Sequence, residues 1–516
     1  MGVLAESHLL LMFATLLREN PAFKEYTMNR IANAVLASGK TLPYVITDNP
    51  PRGGMKYTYF APDKSYVVQF YNEPHKADGN TRSRIESIIG RYNPTVSENQ
   101  GGALGNDEKV AAYFRERFCW PVDIVVSPQF GLVSPSYPKD FFFGGASSQL
   151  LKLEGKDKKS NWFTSNNRRF LNRAELGDFR TMLQTSLLLA RSVRRLHQAG
   201  LAHSDLSNNN VLIDPRKGNC VIIDIDSLVV PGVYPPEVAG TRGYIAPEVL
   251  STMNLDRRDP NRKIPCSVTD LHALAVLIYE YLFNRHPLMG PKIFSAESAE
   301  EDDFLGLGEK ALFTEHPEDK SNRPSSYTYG IKALGPALEA LFLRAFVDGL
   351  HNPRLRPSAM EWETGLARTW DLLRKCANPE CEKRWFVFYE PKNPVCPFCN
   401  ARLQEESIVR FSLNYEIRGH AGLWRKYSEM DIVNNTPLFK WHTRADVFPD
   451  EKADTAMQAY VCNHGGEWFL INSCAEGLLS PLGNPVPCGQ GIRLYDGAIF
   501  RASREDRGVL INVSIA

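Results

Sequence analysis

Three polar side chains share one short stretch, His203, Asp205 and Asn210, and a fourth, Asp224, follows fourteen residues after Asn210. The stretch reads His203-Ser204-Asp205-Leu206-Ser207-Asn208-Asn209-Asn210 and runs into apolar Val211-Leu212-Ile213, while Asp224 follows Val221-Ile222-Ile223. Phosphoryl transfer needs one carboxylate to orient the attacking hydroxyl. It also needs an amide and a second carboxylate to hold magnesium around the phosphates. An H-x-D-x-x-x-x-N loop between an amphipathic helix and an apolar strand, with an Asp ending the next strand, supplies that set.

The elements that must hold these residues can be read on either side. From Asp178 to Gln198, Met182, Leu183, Leu187, Leu189, Val193 and Leu196 recur at helical spacing, and Gly200 ends the helix. Strands are expected around Val211–Ile213 and Cys220–Ile223. Further on come Gly240-Thr241-Arg242-Gly243-Tyr244-Ile245-Ala246-Pro247-Glu248, an apolar helix opened by Thr269-Asp270, and Asn352-Pro353-Arg354-Leu355-Arg356-Pro357.

Upstream, residues 1–45 read as a helical extension, with Leu and Ala at spacings of three and four. Pro50-Pro51-Arg52-Gly53-Gly54-Met55-Lys56 is a turn feeding an alternating strand to Phe60, and a second strand spans Ser65–Tyr71. Gly53 and Gly54 would let backbone approach phosphates, although a plain hairpin also uses glycine there. A helix carrying Arg82, Arg84, Glu86 and Arg91, another near 107–118, and strands at Trp120–Val126 and Gly131–Pro135 complete a sheet-rich lobe over 46–135.

Over about residues 46–372 the sequence resembles the eukaryotic-type Ser/Thr protein kinases. The matches are His203/Asp205/Asn210, Asp224, Gly240-Thr241 with Tyr244-Ile245-Ala246-Pro247-Glu248, Asp270, and Arg356-Pro357. The resemblance implies an α+β, bilobal fold with lobes at 46–135 and 136–372. It also implies ATP and magnesium as cofactors and a protein hydroxyl as acceptor. On it, Asp205 orients the hydroxyl, Asn210 and Asp224 bind magnesium, and Thr241 holds the substrate-docking loop beside Asp205. Glu248 would pair with Arg356, and Asp270 would brace the catalytic loop. The Asp-Leu-Ser wording at 205–207 and Ile223-Asp224-Ile225-Asp226 are similar to a bacterial subgroup, the helix-hairpin-helix-associated and tellurite-resistance-associated kinases. Those are often encoded beside a PP2C-type phosphatase and a von Willebrand A-type protein, which the resemblance implies as partners in signalling, stress or defence.

The departures bear on activity. Gln69 stands where the phosphate-binding lysine is expected, Ser207 replaces the catalytic-loop lysine, Ser204 the usual arginine, and Asp226 a glycine. Lys56, on the neighbouring strand, is the candidate replacement cation. Without one, the domain would be a pseudokinase scaffold. Aminoglycoside- and choline-type phosphotransferases share the loop and the Ile-Asp-x-Asp wording but lack the Gly-Thr-x-x-Tyr-Ile-Ala-Pro-Glu segment, so a protein acceptor is the better reading.

A net charge of +1 gives no reason to expect nucleic acid or an anionic membrane as partner. The apolar run Leu9–Leu17 is too short to span a bilayer and lacks the flanks of a signal peptide. The ten cysteines do not form a disulfide scaffold, which suits a cytoplasmic location. Residues 286–345 read as an acidic, solvated insertion.

Cys376-x4-Cys381, fourteen residues, then Cys396-Pro397-Phe398-Cys399 is the spacing of a four-thiolate structural zinc site, a zinc ribbon over 373–403. From 405 to 516, short alternating strands between Gly, Asn and Pro turns point to a β-sandwich interaction domain. Its ending, Cys488–Gly497, resembles a forkhead-associated domain without that family's phosphate-reading residues.

Overall fold

The computed structural model describes residues 30–516 apart from 54, 73–78, 231–232, 235–239, 257, 327–328, 391, 393 and 404–406. It divides into two compact units, the smaller comprising residues up to 91 with 119–137, the larger 92–118 with 138–516.

The small unit is a six-stranded antiparallel sheet. Its strands are β1 (Arg30–Leu36), β2 (Thr41–Ile46), β3 (Lys56–Phe60), β4 (Tyr66–Tyr71), β5 (Asp123–Ser127) and β6 (Gly131–Pro135), in the order β2-β1-β5-β6-β4-β3. Helical reading of residues 30–45 is therefore corrected. Ala34, Leu36 and Tyr44 are buried at a period of two while Ile31 and Val35 face outward, and Ser38-Gly39 makes the turn with Gly39 at φ +83°. The part of that reading on residues 1–29, and the expectation for Gly54, lie outside the described residues.

Strand alternation splits the sheet into two apolar faces. Val68, Phe70, Val125 and Val133 pack with Tyr44 on one. On the other, Tyr71, Ile124 and Leu132 meet Ile85 of α1 (Gly79–Ile89). Trp120 donates its indole N–H to Ile88 O at 3.1 Å and pins the end of that helix. The helix expected near 107–118 forms as α2 (Glu108–Arg117), but it packs in the larger unit, where Arg117 donates to Asn219 Oδ1.

The larger unit is built around α3 (Phe179–Gln198) and α4 (Ser267–Phe283). Apart from Leu271, α4 is buried from Thr269 to Phe283, so its sequence is apolar all round and any charge it carries must be paired. α3 begins with a capping box made by Asp178 and Thr181. The hairpin of β7 (Val211–Asp214) and β8 (Asn219–Ile222) follows it. α5 (Ala299–Leu307), α6 (Gly335–Leu343) and α7 (Ala359–Trp370) complete the helical part, α7 lying along α3. The stretch 286–345 is not simply a solvated face. Phe313 and Asn322 are fully buried, and the Asn322 amide donates to Leu288 O and Leu312 O.

Beyond α7, β9 (Leu373–Lys375) and β10 (Trp385–Val387) form a two-stranded ladder beside the four clustered cysteines. Two four-stranded antiparallel sheets follow. One runs β12 (Trp424–Ile432), β11 (Val409–Glu416), β18 (Leu510–Ile515), β17 (Ile499–Arg501). The other runs β13 (Thr436–Leu438), β14 (Ala459–His464), β15 (Glu467–Asn472), β16 (Gly491–Leu494). Phe411, Val461, Leu470, Phe500 and Ile511 are buried in the core they share. Among the described residues, no helix is long and apolar enough to cross a membrane.

Candidate active site

The carboxylate of Asp205 is held from two sides. Thr241 Oγ1 donates to Oδ1 at 2.7 Å, and the Asn210 amide donates to Oδ2 and to Asp205 O at 2.9 Å each. Both Asn210 bonds use its nitrogen, leaving the carboxamide oxygen as an acceptor for another partner. Ile223 N–H donates to Asn210 O at 3.0 Å, extending the β7–β8 ladder by one rung and setting Asp224 at its mouth. Asp224 adopts φ +64°, a left-handed conformation that aspartate tolerates better than most residues.

The loop carrying Asp205 is fastened from beneath. Asp270, in the first turn of α4 and 2 % exposed, accepts the His203 amide at 2.7 Å and the Ser204 amide at 3.0 Å. His197, in the last turn of α3, contacts the same carboxylate at 3.1 Å. His203 Nε2 lies 3.0 Å from Ile223 O, joining the loop to the strand that precedes Asp224. Ser204 sits at φ +66°, a cost of about 1–2 kcal/mol for a non-glycine residue, which the two amide bonds to Asp270 offset.

The segment from Gly240 to Glu248 wraps the other side. Gly240 has φ +117°, and a Cβ there would meet Ile245 Cγ1 at 3.2 Å and Ser204 O at 3.3 Å, so only glycine fits. Tyr244 donates its hydroxyl to buried Glu280 at 2.5 Å, and burial pushes the Glu280 carboxyl up to about 8. His286 Nε2 is 2.9 Å from Gly243 O, and burial takes that imidazole down to about 4, so it stays neutral. Ser204, Asp205, Gly240, Thr241, Tyr244 and Pro265 line a recess beside these groups. Arg356 grips Glu248 with two bonds of 2.8 and 2.7 Å and reaches Gly349 O and Leu350 O as well. The side-chain fork fits a carboxylate in a way lysine cannot.

In the small unit, Lys56 pairs with Tyr71 and Thr58 with Gln69 across β3 and β4. Side-chain alternation then puts Lys56 and Gln69 on one face, diagonal neighbours about 7–8 Å apart by sheet geometry. Lys56 is buried, its ammonium 5.8 Å from the Tyr71 ring, while Gln69 reaches Thr58 Oγ1 at 3.4 Å. Gly53 donates its amide to Lys56 O at 2.9 Å, closing the turn ahead of β3.

The sulfurs of Cys376, Cys381, Cys396 and Cys399 all lie within 4.8 Å of one another, with Cys376 and Cys399 at 3.4 Å. Four thiolates about 2.3 Å from a central zinc stand about 3.8 Å apart, so this set fits that ion. Burial pushes the Cys396 thiol up, whereas at Cys399 the Ala401 amide and the neighbouring thiols outweigh burial and bring the thiol to about 7.

Sequence reasoning passed over His197, Glu280 and Glu363. Each is an ordinary helix residue by pattern, and only the packing of α3, α4 and α7 reveals its partner.

Residues 165–387 match the protein kinase domain family, and this stretch has the protein kinase fold. It holds every residue from His203 to Arg356 discussed above and none of Gly53, Lys56 or Gln69. Among curated proteins, the chain is 26% identical over 176 residues to the serine/threonine-protein kinase pkn3 of Myxococcus xanthus, spanning 32% of this chain and 27% of that one. It is 35% identical over 121 residues to the citron rho-interacting kinase of Rattus norvegicus, spanning 23% and 6%. The chain thus spans about a quarter or less of the length of these relatives. A solved rhoptry kinase of Toxoplasma gondii aligns with 68% of this chain and 88% of its own at 15% identity and a TM-score of 0.41.

Proposed function

We propose that the chain is an atypical Ser/Thr protein kinase that transfers the γ-phosphate of ATP to a protein hydroxyl. The observation that carries this reading is Asp205 fixed between Thr241 and Asn210, with Asn210 in turn bonded through its backbone to Ile223, the residue before Asp224. The arrangement leaves a carboxylate aimed by two donors at the position where an acceptor hydroxyl is to be oriented. Asp205 accepts the hydroxyl hydrogen bond, Thr241 keeps the carboxylate from rotating, and Asn210 and Asp224 are the residues that would hold magnesium. Magnesium, when bound, neutralises charge on the phosphates. Lys56 takes the role of phosphate cation that Gln69 cannot fill, sharing the Gln69 face of the sheet.

The four-cysteine set acts as a structural zinc ribbon, since four thiolates leave no open ligand position. The two C-terminal sheets act as a β-sandwich interaction domain, and a PP2C-type phosphatase and a von Willebrand A-type protein are the proposed partners in a bacterial, cytoplasmic signalling or defence setting.

A pseudokinase scaffold is the second reading, favoured by Gln69 and by Ser207, which is fully buried and carries no charge. Label transfer from γ-labelled ATP separates the two. Labelled protein in the wild type, lost in Asp205→Ala, supports the kinase. Nucleotide binding with no labelled product supports the scaffold, and label in a single small product would point to a small-molecule phosphotransferase.

A further inference from the structure

α3 presents Arg191, Arg194 and Arg195 on one side of its C-terminal half, at the i, i+3, i+4 spacing of a single helix face. Among the described residues, the helical part of the unit supplies one carboxylate to these three guanidiniums. Glu363 of α7, wholly buried, accepts from Arg191 Nε at 2.6 Å and Arg194 Nε at 2.5 Å. Left there, two positive charges would lack a counter-charge in a poorly solvated seam, where unpaired charge is costly.

The counter-charges come from residues 449–452, on the connection leading to β14 in the C-terminal sheets. Pro449 O accepts from Arg191 Nη2, Asp450 lies 3.4 Å from Arg195, and Glu451 pairs with Arg195 and stands 3.7 Å from Arg194. Lys452 then pairs with Asp107 at 2.6 Å, at the N-cap of α2. The Glu451 side chain is only 6 % exposed. This connection therefore completes the charge of α3 and ties it to α2.

The same last turn of α3 carries His197, which contacts Asp270, which in turn holds the His203 and Ser204 amides. Four residues separate His197 from Ala202 at the start of the Asp205 loop. α3 is thus fixed between the C-terminal sheets on one side and the support of the candidate catalytic loop on the other.

We propose that Asp450 and Glu451 are positioning residues for the Asp205 loop, so that the C-terminal β region is a working part of the phosphotransfer unit and whatever shifts this connection tunes transfer. The catalytic part of this inference rests on the kinase reading; the structural part does not.

The test uses the full chain and two readouts, hydrogen exchange of residues 201–210 and steady-state label transfer. Glu451→Gln leaves α3 with an uncompensated charge and is expected to speed exchange in 201–210 by about 5- to 150-fold, the range of ordinary coupling between sites. The value of kcat falls in step, with KM for ATP unchanged. Arg195→Gln combined with Glu451→Gln removes the stranded charge and restores most of the protection, which loss of packing alone would not do. Asp450→Asn, which breaks only the 3.4 Å pair, gives the same pattern at smaller amplitude and carries the test if Glu451→Gln does not accumulate. Unchanged exchange at 201–210, or equal acceleration across the whole large unit, overturns the proposal. A wild-type chain without transfer activity would instead overturn the kinase reading, and the exchange result would still decide the role of the connection.

Discussion

Replacing Asp270 by asparagine tests how the candidate catalytic loop is held. The carboxylate accepts two backbone amides, His203 at 2.7 Å and Ser204 at 3.0 Å, from residues that are 1 % and 8 % exposed. Asparagine offers one oxygen and one N–H2, so whichever way the amide turns, one buried N–H faces a donor. A stranded buried donor costs about 1–3 kcal/mol, and exchanging a charged acceptor for a neutral one costs about 1 kcal/mol more. The sum, about 2–4 kcal/mol, falls on a loop that already holds Ser204 in a left-handed conformation. At about 1.4 kcal/mol per factor of ten, protection of the amides from Ala202 to Asn210 should drop about 30- to 700-fold. Hydrogen exchange read by mass spectrometry or NMR measures this directly. If those amides exchange within about threefold of the wild-type rate, the account of Asp270 as the anchor of the loop is wrong.

Two further outcomes follow from the same geometry. Glu280 holds its proton to about 8 because burial disfavours its charge, against an ordinary value of 4.5. The folded chain then binds a proton that the unfolded chain has lost, so stability falls as pH rises from about 4.5 and levels off above about 8. Glu280→Gln removes that slope, and its melting temperature relative to wild type should climb between pH 5 and pH 8.5, by an amount reflecting a few kcal/mol at most; a pH-independent difference would contradict the buried-acid account. For the four cysteines, elemental analysis should find one zinc per chain. Cys396→Ser or exhaustive chelation should release it with loss of ordered structure around β9 and β10, and a metal-free chain of unchanged stability would argue against a structural site.

The sequence made the Asp205 loop, Asp224, Thr241, Asp270 and the Glu248–Arg356 pair legible because each sits in a short motif whose residue types and spacing are set by local chemistry. The long helices were legible for a different reason, since α3 carries clear apolar periodicity and α4 is a long apolar run. The β1–β2 hairpin was not. Ala32 and Ala34 give its alternation little amplitude, and alanine favours helix. β12 carries no clear strand pattern because Arg425, Lys426, Ser428 and Glu429 leave it no apolar run, and its pairing with β11 supplies the order instead. The larger-unit placement of α2, the burial of Phe313 and Asn322, and the arginine face of α3 depend on distant partners. No local pattern encodes them.

The side-chain relationship of Lys56 and Gln69 falls between these cases. Gln69 is visible in the sequence as the wrong residue for a phosphate contact. That Lys56 lies on the same sheet face depends on the β3–β4 register, in which Lys56 is opposite Tyr71 and Thr58 opposite Gln69. A one-residue slip would place Lys56 on the opposite face.

The measurement that bears most directly on the central claim is label transfer from γ-labelled ATP with magnesium to casein and to the chain itself, with wild type beside Asp205→Ala and Lys56→Ala. The account predicts labelled protein in the wild type, its loss in Asp205→Ala, and a drop in Lys56→Ala with the fold intact by thermal melting. Transfer that survives in Asp205→Ala, or a folded, nucleotide-binding wild type that labels no protein, would contradict it.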